Sequence, residues 1–264
     1  MDVGIIGYGI VGKAIEFTMS KKFKVVKYDK YLPSDSFEEL LSCSFIFVSV
    51  PTPFDTEKYT VDDSAIIESL EKLEKSGFSN YVILKSTVPP GTCKFYSDNF
   101  NLKLVFNPEF LRESITPNED FANQHTVVIG VDDVYAFESS KGMYKKVLPS
   151  STNYYHMSYE SAEMVKFSQN MTLASRVAVS NIVFDACSKF NIDYSLVKKV
   201  AFDSFDIIGP NMTQVPGPDG KRGFGGKCLP KDTLGFDSIH SSDVVKSIIE
   251  YNNSLRDDIP KHEK

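Results

Sequence analysis

The chain opens with Asp2-Val3-Gly4-Ile5-Ile6-Gly7-Tyr8-Gly9-Ile10-Val11-Gly12, an apolar run that leads into three spaced glycines. Residues 13–20 that follow have the pattern of a helix, so the glycines stand at a strand-to-helix turn. Gly7 permits the tight turn, Gly9 lets a ligand approach the backbone, and Gly12 lets the helix pack on the strand. Because amides at the start of a helix favour an anion, this stretch predicts a pyrophosphate site.

A second predicted strand, Lys24 to Tyr28, ends in Asp29, about twenty residues beyond the glycines. A carboxylate at this point can accept hydrogen bonds from both hydroxyls of an adenosine ribose, and it would repel a 2′-phosphate. We therefore predict NAD, rather than NADP, as the cofactor. The alternative is a glycine turn in an α/β protein that binds no nucleotide.

Strand and helix patterns continue to alternate up to residue 146. Further strands are predicted at 45–50, 81–84, 102–106 and 126–131, and helices at 36–42, 62–76 and 134–146. Six strands with intervening helices predict a doubly wound parallel sheet, a Rossmann-like domain over residues 1–157. The polar segments after the strands then share one edge, where ligands bind. The predicted cofactor-binding residues are Gly7, Gly9, Ile10, Val11, Gly12, Asp29, Lys30, Pro51, Thr52, Thr87 and Glu113.

The second half of the chain, residues 158–264, predicts a smaller all-α domain built on one long helix. No Gly or Pro interrupts residues 158–190, and a helix of that length would span about 45 Å. Such a helix should join the two halves and pack against its counterpart in a second subunit, which predicts a homodimer. Lys166 and Asn170 are four residues apart and share one face of it, where the alternative is a solvated surface pair.

Composition excludes several classes of partner. The formal net charge is −6, without a long basic run, so nucleic acid is not expected as a partner. The four cysteines are far apart and form no CxxC pair, which favours reduced thiols in the cytoplasm. No apolar run approaches the ~18 residues of a membrane span, and the first residues form a strand pattern without a basic segment, so we expect a protein that is neither exported nor membrane-spanning. The four histidines show no metal-ligand spacing, so no metal is predicted.

Close to the C-terminus, one thiol stands in an unusual setting, Gly223-Phe224-Gly225-Gly226-Lys227-Cys228-Leu229-Pro230-Lys231-Asp232. Glycines give a substrate close access, and a nearby lysine can favour the thiolate that attacks it. The stretch therefore indicates a nucleophilic cysteine. The alternative for Cys228 is a small buried residue without chemistry.

Five motifs in order resemble the UDP-glucose 6-dehydrogenase family, which also contains the GDP-mannose dehydrogenases. They are Gly7-x-Gly9-x-x-Gly12, residues 85–92 (KSTVPPGT), residues 107–113 (NPEFLRE), Lys166-x-x-x-Asn170 and residues 223–232 (GFGGKCLPKD). The resemblance implies an NAD-binding domain, a dimer core formed by the long helix, and a third domain that helps to hold the nucleotide diphosphate. The chain stops at Lys264, so we expect that third domain to be absent.

The resemblance also implies a reaction and roles for individual residues. The primary alcohol of a nucleotide sugar would be oxidised to a carboxylate with two NAD, through a thiohemiacetal and a thioester on Cys228. Lys166 would stabilise the charge on an alkoxide-like oxygen, with Asn170 as its hydrogen-bonding partner, and Asp232 and Thr87 would order a water for which Glu113 is a base or relay. The implied substrate-binding residues are Glu109, Phe110, Leu111, Arg112, Lys166, Asn170 and Gly225.

Two departures from the family pattern leave alternatives open. The third domain is expected to be absent, and Ile207 stands where the family usually has an arginine that reaches a neighbouring subunit's substrate. One alternative is a two-domain NAD-dependent dehydrogenase of a smaller hydroxylated substrate. The other is a catalytically silent NAD-binding partner of a full-length enzyme.

Overall fold

The structure is a computed structural model that describes residues 2–112, 116–206, 208–209 and 212–259. Glu113 and Ile207, which the sequence analysis singled out, lie outside these residues. The chain forms two compact units, one of Met1–Thr52 with Asp62–Lys166 and one of Pro53–Val61 with Phe167–Lys264.

The described residues contain nine strands and ten α-helices. The strands are β1 (Asp2–Ile6), β2 (Lys24–Tyr28), β3 (Phe45–Val48), β4 (Phe54–Asp55), β5 (Thr60–Val61), β6 (Tyr81–Leu84), β7 (Lys103–Phe106), β8 (Thr126–Gly130) and β9 (Asn153–Met157). The helices are α1 (Ile10–Met19), α2 (Phe37–Leu40), α3 (Ser64–Lys75), α4 (Thr92–Asn99), α5 (Pro117–Ala122), α6 (Val134–Tyr144), α7 (Tyr159–Lys189), α8 (Tyr194–Lys198), α9 (Cys228–Ile239) and α10 (Asp243–Leu255). A π-helical turn, Lys199–Asp203, follows α8.

The first unit is built on a seven-stranded sheet in the order β2-β1-β3-β6-β7-β8-β9. Its strands are parallel except for the antiparallel pair β7–β8, so the predicted doubly wound α/β fold is confirmed. The edge strand β9 is not among the predicted strands, because most of its side chains are exposed or half-buried and give no apolar run. Chain order reverses between β1 and β3, and this is where doubly wound sheets bind ligands.

The central strands end in register. Ile6 pairs with Val48, Val48 with Leu84, and Leu84 with Phe106. All four residues of β3 are buried, as a continuous apolar run predicts for a strand covered on both faces. The residues that follow the four strands, namely Gly7, Ser49, Lys85 and Asn107, therefore form a row at one edge of the sheet.

The first turns of α7 belong to the first unit rather than to the helical half. Tyr159 and Ala162 lie in the core of the first unit, and the Tyr159 hydroxyl donates to the Leu104 carbonyl at 2.7 Å. A side chain at Gly130 would meet the Ala162 methyl group at 2.7 Å, so the helix packs directly on β8. The division between the compact units thus falls inside α7, whereas the sequence analysis placed a domain boundary between residues 157 and 158.

The second unit contains the rest of α7, the later helices and the hairpin β4–β5. Phe54 and Val61 of the hairpin pack with Leu234 of α9 in a small core of their own. Neither the hairpin nor α9 is predicted from the sequence. For α9 the reason is that glycines precede the helix and Pro230 stands near its start. Proline is tolerated there, since the first amides of a helix have no carbonyl partner within it.

One buried carboxylate fixes the start of α4. Glu163 of α7 is fully buried and accepts the Gly91 and Cys93 amides, each at 2.7 Å. Burial raises the pKa of Glu163, against the opposing effect of these hydrogen bonds. The side chain supplies the cap that α4 lacks in its own sequence, where Gly91 precedes the helix without a side-chain cap.

Replacing Glu163 with alanine should leave both amides buried without a partner. We expect Glu163→Ala to lower the free energy of unfolding by about 2–4 kcal/mol, since an unsatisfied buried donor costs about 1–3 kcal/mol. Urea denaturation of Glu163→Ala and of the matched variant Glu160→Ala, at an exposed position of the same helix, measures this difference. Equal stability of the two variants would contradict a capping role.

Candidate functional site

The glycine turn leaves an open cradle at the end of β1. Gly7 has a φ of +91°, and a side chain there would meet the Ser49 carbonyl at 2.6 Å. A side chain at Gly12 would collide with the Gly7 carbonyl, whereas one at Gly9 would meet no atom within 4 Å. Gly9 precedes α1 without a side-chain cap, so the first amides of that helix are available to an anion. The predicted Ile10 and Val11 occupy this first turn, and the whole arrangement fits the pyrophosphate of NAD.

Asp29 lies against the same turn. Its carboxylate accepts the Tyr8 amide at 2.7 Å and the Tyr31 and Leu32 amides at 2.8 and 3.0 Å. Burial raises the pKa of Asp29, but the three amides together bring the pKa below its ordinary value. The carboxylate is therefore ionised at neutral pH, and it keeps lone pairs for the ribose hydroxyls of a dinucleotide.

The other predicted cofactor residues differ in their placement. The Thr52 hydroxyl donates to the Thr87 carbonyl at 3.1 Å, so the structure brings these two buried residues together at the ends of β3 and β6. Pro51 is exposed beside them. The Lys30 ammonium instead pairs with Glu68 of α3 at 2.7 Å on the surface.

A buried ion pair forms next to the end of β7. The Lys166 ammonium lies 3.0 Å from a carboxylate oxygen of Glu109 and donates to the Glu109 carbonyl at 2.7 Å. Phe110 and Leu111 pack partly against the core of the first unit. The Arg112 guanidinium donates to Asp120 of α5 and lowers the pKa of that carboxyl to about 2. Within the predicted substrate-binding segment, Lys166 thus forms its ion pair with Glu109, and its ammonium also lies 5.5 Å from the centroid of the Phe110 ring.

In the second unit, Cys228 is the first residue of α9 and Asp232 follows one turn later on the same face. Asp232 is buried, accepts from the Asn170 side-chain amide and lies 2.8 Å from the Lys231 ammonium. The helix dipole at this end favours a negative charge on the thiolate. Burial of Asn170 and Lys166 excludes the solvated surface pair considered above.

Exposure separates Cys228 from the other three cysteines. Cys43, Cys93 and Cys187 are buried, while Cys228 is partly exposed. Burial also raises the pKa of Cys43 to about 11 and that of Cys93 well above its usual value, so these thiols stay protonated. Cys228 is therefore the cysteine whose placement suits a nucleophile.

Gly225, predicted to bind substrate, lies directly against the Arg256 guanidinium, which a side chain at that position would strike. Arg256 is buried and pairs with Asp219 at 2.7 Å and Asp258 at 2.9 Å. The glycine-rich segment before Cys228 is thus fixed to the end of α10.

Three polar residues at these positions were missed by the sequence analysis. Ser49 donates to the Gly7 carbonyl at 2.8 Å, Lys85 donates to Asn107 at 2.8 Å, and Lys231 pairs with Asp232. Lys85 and Lys231 belong to the motifs KSTVPPGT and GFGGKCLPKD. Their proximity in sequence to Thr87 and Asp232 is the signal that could have identified them as candidate site residues.

The part of the chain that the structure describes contains no cluster of three or more His, Cys, Asp or Glu side chains arranged to bind a metal ion. Within the same ranges, none of the helices combines the length and the apolar character that crossing a membrane requires.

Two family models match the chain. Residues 24–148 match the NAD binding domain of the UDP-glucose/GDP-mannose dehydrogenase family, and residues 160–254 match the central domain of the same family. Together the two matches account for most of the chain, and the first one begins after the glycine turn.

Curated relatives are named UDP-glucose 6-dehydrogenases. The UDP-glucose 6-dehydrogenase of Rickettsia felis is 31% identical over 227 residues, which cover 81% of this chain and 48% of the relative. The UDP-glucose 6-dehydrogenase of Campylobacter jejuni is 30% identical over 245 residues, which cover 90% of this chain and 60% of the relative. The chain therefore spans about half the length of the curated relatives it matches.

Solved structures show the same fold. A UDP-glucose dehydrogenase from Pyrobaculum islandicum superposes with a TM-score of 0.80 at 25% identity, over 96% of this chain and 68% of that chain. A UDP-D-ManNAc dehydrogenase from Pyrococcus horikoshii superposes with a TM-score of 0.81 at 17% identity, over 97% of this chain and 69% of that chain.

The open space at Gly9 allows a selective test of whether the glycine turn binds the pyrophosphate of NAD. Gly9 has a φ of −79°, so Gly9→Ala should fold normally while its methyl group occupies the space above the turn. We expect NAD affinity, measured by titration calorimetry, to fall by about tenfold or more, which is about 1.4 kcal/mol. Gly142→Ala, at an equally open position on α6, is the matched control and should leave NAD affinity unchanged. Normal NAD binding by Gly9→Ala would show that the pyrophosphate lies elsewhere.

Proposed function

Because this chain belongs to the UDP-glucose/GDP-mannose dehydrogenase family, we propose that it oxidises the primary alcohol of a nucleotide sugar to a carboxylate with NAD. The observation that carries the proposal is the placement of Cys228, a partly exposed thiol at the start of α9, one turn before the buried Asp232. A protein that only bound NAD would have no need for a thiol with these neighbours. The relatives named UDP-glucose 6-dehydrogenase support UDP-glucose as the first substrate to test.

The thiol solves a problem that a four-electron oxidation creates. The aldehyde formed at the halfway stage would hydrate or escape, so it needs a covalent holding point. Bound NAD supplies the acceptor for the hydride that leaves the sugar carbon at each of the two stages. The Cys228 thiolate adds to the aldehyde carbon and forms a thiohemiacetal, whose oxidation gives a thioester. Water then attacks the thioester carbonyl, which releases the carboxylate and returns the thiolate.

Charged and polar side chains would assist these steps. The Lys166 ammonium, held by Glu109 in the first unit, would stabilise negative charge on the sugar oxygen. Asn170 and Asp232 in the second unit are hydrogen-bonded to each other. The resemblance to the family gives Asp232 and Thr87 the role of ordering the hydrolytic water. Glu113 would serve as its base or relay.

We also propose a homodimer formed through α7. Val179 and Ile182 of this helix are large apolar residues with exposed fractions of 52% and 53%. They are three residues apart and so share one face, where a second copy of the chain would cover them. Light scattering at micromolar concentration should report the mass of two chains, and a monomer would contradict this interface.

The stoichiometry of NADH tests the proposed reaction. With limiting UDP-glucose and excess NAD, the wild-type chain should yield two NADH per sugar at completion. Cys228→Ser should lose this double oxidation, because a serine hydroxyl cannot replace the thiolate as a nucleophile at neutral pH. The measurement is NADH absorbance at completion, with the released sugar acid identified by mass spectrometry.

Two further variants sharpen the result. Cys187→Ser, at a buried cysteine of α7, is the matched control and should keep a yield of two. Asp232→Asn should form NADH rapidly and then turn over slowly, if its carboxylate orders the hydrolytic water. A wild-type sample that binds NAD but forms no NADH would indicate a smaller substrate or a silent partner of a longer enzyme.

A further inference from the structure

Lys85 is a buried charged residue that the proposed reaction does not use. It follows β6 in the row at the sheet edge, and 2% of its surface is exposed. Its ammonium donates to the Asn107 side-chain oxygen at 2.8 Å and to the Pro108 carbonyl at 3.4 Å. Among the residues that the structure describes, no carboxylate lies within ion-pair distance of this ammonium, and the centroid of the Phe121 ring is 5.3 Å from it. Burial of a charge without an ion pair is costly, so a lysine at this position needs an explanation.

The hydrogen bonds of Asn107 do not supply that explanation. The Asn107 side-chain oxygen already accepts from the Tyr144 hydroxyl, and the Asn107 amide group donates to the Val128 carbonyl at 2.6 Å. The Asn107 side chain would therefore remain hydrogen-bonded if residue 85 were apolar. A methionine of similar length would fill the same space without the desolvation penalty of a charge.

The hydrogen bonds of the Lys85 ammonium go to the segment that holds Lys166. Lys85 donates to Asn107 and Pro108, and the next residue, Glu109, receives the Lys166 ammonium through both its carbonyl and its carboxylate. The ammonium groups of Lys85 and Lys166 thus both contact residues 107–109, in which Glu109 supplies the one carboxylate. Any shift of this segment would move Lys166 with it.

We propose that Lys85 is a positioning residue, which holds residues 107–109 so that Glu109 places the Lys166 ammonium for reaction with the sugar alcohol. The proposal rests on the function proposed above for Lys166. The proposal explains why a lysine is the first residue of the KSTVPPGT motif, although this lysine has no direct role in the proposed reaction.

The charge on Lys85 should also act on this pair. The groups that face it are Glu109 after β7, Lys166 on α7 and, through Asn107, Tyr144 on α6. Burial lowers the pKa of Lys85 to about 7, with opposing effects from Glu109 and Lys166. Below that pH, charged Lys85 attracts Glu109 and repels Lys166. Above that pH, Lys85 is neutral, so it no longer attracts the Glu109 carboxylate or repels the Lys166 ammonium. The activity of the wild-type chain should therefore rise as the pH passes through about 7.

The test compares Lys85→Met with Lys103→Met, a change at an exposed position of β7. We expect Lys85→Met to unfold at the same temperature or higher at pH 6, because a charge whose folded-state pKa is lowered destabilises the fold at that pH. Its kcat/KM for UDP-glucose should fall by about tenfold, with the loss in kcat rather than KM. Its pH profile should lack the rise near neutrality, and Lys103→Met should match the wild type throughout.

A readout without catalysis separates this proposal from the proposed function. In the chain labelled with ¹⁵N-lysine, the Lys166 ammonium signal, assigned with Lys166→Met, should shift as the pH passes through about 7. The same signal should be unresponsive there in Lys85→Met. If the wild-type chain forms no NADH but shows this shift, the positioning role stands and the reaction fails. A Lys166 signal that ignores Lys85, or a Lys85→Met variant with wild-type kcat and pH profile, would overturn the proposal.

Discussion

The shared register of four parallel strands is the constraint on which the first unit depends. Ile6, Val48, Leu84 and Phe106 pair across the sheet, so the chain leaves all four strands at the same level. Backbone amides continue the ladder one residue further, from Ser49 to Ile6, from Lys85 to Val48 and from Asn107 to Leu84. Segments far apart in sequence therefore deliver the glycine turn, the Thr52–Thr87 contact and the Lys85–Asn107 contact to one edge.

A second constraint is the row of buried polar side chains on α7. Glu163, Lys166 and Asn170 recur at a spacing of three and four residues, and each is buried with a different partner. Glu163 caps α4 and Lys166 pairs with Glu109 in the first unit, while Asn170 binds Asp232 in the second. Buried polar groups must be paired, so each of these contacts constrains the part of the helix that lies in its own unit. One helix thus supplies both a structural cap and the groups proposed for catalysis.

The contrast between the cysteines shows how placement selects a reactive residue. All four are the same side chain, yet three are buried, and Cys228 is partly exposed at the start of a helix. Its neighbour Asp232 is held by hydrogen-bonding and ionic partners rather than by solvent. Local backbone geometry and burial, rather than residue type, therefore distinguish the candidate nucleophile.

Local patterns in the sequence were enough to predict the doubly wound sheet, the glycine turn with Asp29, and the long uninterrupted helix, because apolar periodicity and glycine spacing act over a few residues. They could not predict α9, whose glycine-rich approach resembles a loop, or β9, whose exposed residues give no apolar run. They also could not show that Glu163 caps α4, that Arg256 lies against Gly225 or that Lys85 supports the segment before Glu109. Those contacts join residues many positions apart, and only the packing of the folded chain decides which buried charge meets which partner.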